Sequence, residues 1–233
     1  MATRDDSTDT WTDTWTRFLD DATPLPADPA APVVRRSTPV VGDRAVRDDE
    51  LPRLVGYAGD LRVVLTGGAG QVAGPAAYCR RHGLELSALD VTLRDLDDPA
   101  GNARRVVAAV DAAVAGGDLL EDTVVHVRVA TLGDPTPSWL AAADVLAEAE
   151  MVLALPLGLP PGGDLDAWVD AALDRELAMS LVGGTPAQAV AALATAARLW
   201  GDPGDLARGR RWVRSWLTPE VEAALDHLAG LTP

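Results

Sequence analysis

From Leu61 onward the chain alternates short apolar runs with longer segments whose apolar residues recur every three or four positions. Strand-like runs fall at 61–66 (LRVVLT), 84–91 (LELSALDV), 123–129 (TVVHVRV), 151–157 (MVLALPL) and 177–182 (LAMSLV), each followed by a helical pattern. The helices carry start signals: Asp98 before Pro99, Thr136 before Pro137, Asp164, and Thr185-Pro186-Ala187-Gln188, a capping box with proline at the first helical position. Each has one apolar stripe to bury. Val106, Val110 and Ala113 line the first, Leu165, Trp168, Val169, Ala172 and Leu173 another, and Val190, Leu193, Ala197 and Trp200 a third.

Strands alternating with helices that pack on them predict a parallel sheet with right-handed crossovers. "TPVVG" at 38–42 adds a short first strand, so six strands are visible where a full barrel needs eight. The expected fold is therefore TIM-barrel-like but incomplete or modified, with an open Rossmann-like, doubly wound sheet as the alternative. The ends are less regular. "WTDTWTRFL" places Trp11, Trp15, Phe18 and Leu19 on one helical face, and a Pro/Ala-rich stretch follows from Ala22 to Val34. Residues 1–35 are read as this amphipathic helix and its connector, and 36–233 as one α/β domain. Near the C-terminus, Trp212, Val213, Trp216 and Leu217 suit either a helix or an edge strand, before a last helix with Val221, Leu225 and Leu228 on one face.

Composition removes several function classes. The 35 acidic against 20 basic residues give a formal charge of −15, which repels nucleic acid and anionic membranes, so neither is an expected partner. No apolar run approaches the roughly 20 residues that cross a bilayer, and the N-terminus is acidic where a signal peptide is basic, so a cytoplasmic location is expected. One cysteine, Cys79, excludes an intrachain disulfide. Three scattered histidines give no zinc spacing, and no metal is predicted. Every basic residue is arginine. Without lysine there is no P-loop, no Schiff-base nucleophile and no protein-kinase strand lysine.

"TGGAGQVA" (Thr66 to Ala73) resembles the glycine-rich turn of extended short-chain dehydrogenases, with Asp90 where such enzymes hold a ribose hydroxyl. That resemblance implies NAD(P), but the family's Tyr-x-x-x-Lys pair cannot exist here and Pro75 interrupts the match. No other cofactor is expected. A longer stretch, "TLRDLDDPAGNARRVVAAVDAAV" (Thr92 to Val114), together with Thr66 to Gly70, resembles a family of uncharacterised barrel-like α/β bacterial proteins from GC-rich genomes. The resemblance implies a barrel and no particular activity. Where those relatives have lysine- and histidine-containing motifs, this chain reads "MVLALPLGLPPGG" and "LAMSLVGGTP".

In either parallel architecture ligands meet the C-terminal ends of the strands. That edge holds Thr66, Gly67, Gly68 and Gly70, then Asp90, Arg128 to Thr131, and Gly183, Gly184 and Thr185, whose amides open a helix as an anion cradle or simply form a tight turn. His126 and Arg128 share one face of a strand of valines, and a buried arginine needs a carboxylate or a ligand, with Asp90 the plausible partner. Asp90, Asp95, Asp97 and Asp98 form an acidic cluster, although Asp98 is also an N-cap. Cys79 has only His82 near it in sequence. The function expected is a barrel binding a small anionic metabolite, or a catalytically degenerate enzyme homologue. The alternatives are an active enzyme using Asp90, His126 and Arg128, a nucleotide-binding Rossmann-like protein, and a non-catalytic partner protein or homodimer docking through an exposed apolar patch. The sequence leaves open whether any reaction is catalysed.

Overall fold

The computed structural model describes residues 6–129, 134–158 and 165–231. Eight strands, β1 (Leu19–Asp21), β2 (Val41–Arg47), β3 (Asp60–Val64), β4 (Glu85–Leu93), β5 (Val124–Val129), β6 (Val152–Pro156), β7 (Met179–Val182) and β8 (Val213–Thr218), pair in chain order. Every pairing is parallel, and β8 returns to β1 to close the barrel. Around it lie α1 (Asp6–Trp15), α2 (Ala73–His82), α3 (Pro99–Ala115), α4 (Pro137–Glu148), α5 (Leu165–Leu173), α6 (Pro186–Leu199), α7 (Leu206–Trp212) and α8 (Val221–Ala229). The fold is thus an eight-stranded, TIM-barrel-like α/β barrel. Closure overturns the open Rossmann-like alternative, and the count of eight corrects the expectation of an incomplete barrel.

The pattern hid β1 and caught only the start of β2, because both are rich in charge. β1 reads Leu-Asp-Asp and lies within the segment assigned to the N-terminal helix and connector. α1 stops at Trp15 and Arg17 takes a left-handed conformation (φ 52°), which turns Phe18 and Leu19 off the helix and into the barrel wall. β2 begins at Val41, where the "TPVVG" run ends, and continues through Asp43, Arg44 and Arg47. Near the C-terminus the choice between helix and strand resolves as both: α7 ends at Trp212, and β8 starts at the next residue. It is not an edge strand, since it pairs on both sides.

Outward-facing residues form the main core. Leu61, Val63, Leu89, Val91, Leu93, Val125, Val127, Leu153, Leu155, Met179, Leu181 and Trp216 are buried between the strands and the helices. Each large side chain so buried contributes about 1.5–3 kcal/mol relative to exposure. The helix starts match the signals: Asp98 accepts from the Gly101 amide, Thr136 from the Trp139 amide, and Thr185 from the Gln188 amide. Asp164 lies outside the described residues. Trp139 and Trp168 meet edge-on at 4.0 Å within the core, whereas Trp200 is partly exposed and leans on Trp212. Among the described residues no helix is long and apolar enough to cross a membrane.

Candidate functional site

Strand pairing places Asp90, His126, Val152 and the residues level with them on one face of the sheet, and that face is the bore. Bores of this fold are packed with branched apolar side chains. Here a chain of charges runs through instead. Arg62 on β3 donates from Nη1 to Asp20 Oδ2 (2.8 Å) and from Nη2 to Asp90 Oδ2 (2.7 Å), with Ser215 Oγ also within 3.3 Å of Nη1. Arg128 on β5 donates from Nη2 to the same Asp90 oxygen at 2.9 Å. The order Asp20, Arg62, Asp90, Arg128 alternates in sign from the N-terminal mouth towards the C-terminal one.

Side chains of Arg62 and Asp90 are 0% exposed, and that of Arg128 is 26% exposed. Burial alone would lower the Arg62 pKa, but Asp90 and Asp20 outweigh it and hold the guanidinium charged. Satisfaction is incomplete. Asp90 Oδ1, Arg62 Nε and Arg128 Nε are all buried without a hydrogen-bond partner among the described residues. Orphaned polar atoms of this kind cost about 1–3 kcal/mol each, so this polar bore is not a device for stability alone.

His126 stands next to Asp90 in register but lines a cavity at the N-terminal mouth, together with Asp20, Asp43 and Ser215. Its Nδ1 lies 2.9 Å from Ser180 Oγ. Burial, then the fields of Arg62, Arg214 and Arg128, hold its pKa well below the usual histidine range, so the imidazole is neutral at physiological pH. The structure therefore brings Asp90 and Arg128 together as a pair. His126 serves the opposite mouth, and the three residues named as an enzyme's machinery do not converge on one pocket.

The glycine-rich turns are largely occupied by the protein itself. The Thr66 amide and hydroxyl both donate to the Asp48 carboxylate, at 3.2 and 2.8 Å, which fills the place an anion would take. Gly67 and Gly68 lead into a short 3-10 turn, Ala69–Gln71, and α2 begins only at Ala73. Thr66 and Gly70 line a groove of about 480 Å³ that also holds Asp48, Asp49 and Tyr78, outside the bore. At the other turn, the Gly183 amide donates to Leu217 O, and its carbonyl accepts from Trp216 Nε1. The Thr185 amide donates to Gln188 Oε1 at 2.8 Å. The acidic cluster separates too: Asp98 caps α3, Asp95 pairs with Arg105, and Asp90 is in the bore. Cys79 is buried, which raises its thiol pKa to about 11 and leaves it inert. Ala130 and Thr131 lie outside the described residues.

Sequence reasoning missed Arg62, Asp20, Asp43, Ser180 and Ser215. The signal for Arg62 was present, because an arginine inside "LRVVLT" raises the same question as Arg128 inside "VVHVRV". No family model matches the chain, and no curated protein matches it in sequence.

Proposed function

We propose that this barrel binds a small anion, the carboxylate or phosphate group of a metabolite, at its C-terminal mouth, with Arg128 as the anchoring cation. The observation that carries this is the state of Arg128. It stands near the C-terminal end of β5, three-quarters buried, with Nη2 its one hydrogen-bonded nitrogen among the described residues. The oxygen it reaches is already neutralised by Arg62. A guanidinium held on a rigid strand, desolvated yet only partly spent, suits the planar face of a carboxylate or phosphate. Two strands away on the same mouth, the Gly183–Thr185 turn opens α6, whose positive end adds a favourable field for an anion.

The same geometry favours binding over chemistry. Both arginines converge on the same oxygen of Asp90, and the neutral His126 lines the other mouth, so no acid–base pair is assembled at the anion site among the described residues.

A thermal-shift series on the full chain with inorganic phosphate, phosphosugars and small carboxylates tests this. A ligand at about 100 times its Kd stabilises by about 2.7 kcal/mol, or roughly 5–10 °C for a domain of this size. The expected result is such a shift with one anion class, absent in Arg128→Gln, a variant that keeps Asp90 paired with Arg62. No shift with any anion, or a shift that survives in the variant, contradicts the proposal.

A further inference from the structure

A second concavity, at the N-terminal mouth of the bore, is untouched by the anion proposal. It has a volume of about 370 Å³ and is walled by Asp20, Asp43 and Asp60 from β1 to β3, by Ser87 from β4, and by His126 and Ser215 from β5 and β8. Glu85 and Asp122 add two more carboxylates at its rim, against the guanidiniums of Arg17 and Arg214. Negative charge is in excess.

Two features beyond that excess point to a ligand. The first is His126, only 4% exposed and one of the residues lining the cavity. Its Nδ1 is taken by Ser180, and Nε2 has no protein partner among the described residues. With Nδ1–H donating to Ser180, Nε2 offers a lone pair from a buried wall. The second is Asp43, whose side chain is 12% exposed and whose one ion-pair partner among the described residues, Arg17 at 2.5 Å, is shared with Asp60 at 2.6 Å. Asp20 spends one oxygen on Arg62 and the other on the Asp43 amide. The buried carboxylate thus faces two others with one exposed arginine between them.

We infer that this mouth is a site for a small organic cation, a primary ammonium group whose N–H donors are met by the Asp43 carboxylate and by Nε2 of His126. A metal ion fits less well, because among the described residues no group of three or more His, Cys, Asp or Glu side chains is arranged to hold one. An ammonium group needs acceptors and excess negative charge without fixed coordination geometry, and the cavity has both.

Electrostatics give the site a pH dependence. Burial first, then Asp20 and Asp60, push the Asp43 carboxyl up to about 6, against the opposing pull of Ser87 and Arg17. Arg214, Glu85 and Asp122 stand farther out on the same rim, and Arg62 acts through Asp20. Below that value Asp43 is neutral and the site loses its anchoring charge.

The test is calorimetric titration of the full chain with putrescine, and with butanediol as its neutral counterpart, at about 0.15 M salt to screen the general attraction of an acidic surface. At about pH 8 putrescine is expected to bind saturably and butanediol not at all. At about pH 5, one unit below the Asp43 value, affinity falls about tenfold, and Asp43→Asn loses about tenfold at the higher pH. Asp60→Asn, nearer the surface, loses affinity in the same direction and serves if the Asp43 variant does not fold. In the wild type the His126 ring nitrogen resonances shift on binding. Absence of saturable binding at about pH 8, equal affinity for the diol, or wild-type affinity in both variants overturns the inference.

Discussion

At the level of single residues, Arg62 is the side chain on which the bore depends. It neutralises Asp20 and Asp90 at once while wholly buried, so its removal leaves Asp20 without an ion-pair partner among the described residues and Asp90 with Arg128 alone. Arg62→Met is expected to destabilise the protein by about 3–5 kcal/mol, read as a fall of roughly 6–20 °C in Tm, whereas Arg128→Gln costs less because Asp90 keeps Arg62. Similar losses in the two variants would contradict that hierarchy. Asp43 makes the opposite contribution. Its folded-state pKa lies above the unfolded value, so the stability linked to its proton is full below about pH 4 and is lost as pH rises through about 6. Asp43→Asn is therefore expected to gain stability relative to wild type between about pH 4 and pH 7, measured as the difference in denaturant midpoints. A difference independent of pH would show that Asp43 is not buried as described. The Asp90–Arg128 pair was legible in the sequence, because an arginine among valines demands a partner. The place of His126 at the N-terminal mouth was not, since alternation fixes the face of a strand but not the mouth that a side chain lines.

At the level of elements, regular signals were read correctly where local chemistry is self-contained. Proline at the first helical position and an oxygen-bearing cap fix the starts of α3, α4 and α6 without tertiary help. β1 was hidden, and β2 seen only at its start, because their charges are satisfied by residues far along the chain: Asp21 by Arg44 and Arg36, Asp43 by Arg17. Such pairs join residues distant in sequence, so no local pattern reveals that Leu-Asp-Asp is a strand. The packing of α7 on α6 has the same character. Gly209 lies so close to the backbone of α6 that an added Cβ would overlap the Leu193 carbonyl. Gly209→Ala is expected to cost about 1–3 kcal/mol despite the better helix propensity of alanine, and a neutral or higher Tm would contradict the close approach.

For the whole molecule, βα alternation was enough to reach the barrel class, but closure depended on β1, which the hydrophobic pattern hid, and β8, which it left ambiguous, with β2 placed too early. Their polarity is tied to the bore. A barrel wall that must present Asp20, Asp43 and Ser215 inward cannot also read as an apolar run. Charge inside this closed sheet carries an energetic penalty, and the two mouths differ in sign, with Arg128 towards the C-terminal end and Asp43 in the wall of the N-terminal cavity. Anion binding at Arg128 is read out by following the Nε–Hε resonances of Arg62 and Arg128 by NMR while titrating inorganic phosphate and a small carboxylate into the full chain. The account predicts a saturable shift at Arg128, with a smaller one at Arg62 relayed through Asp90. An Arg128 resonance that stays fixed while either anion stabilises the protein would place the anion elsewhere and contradict the account.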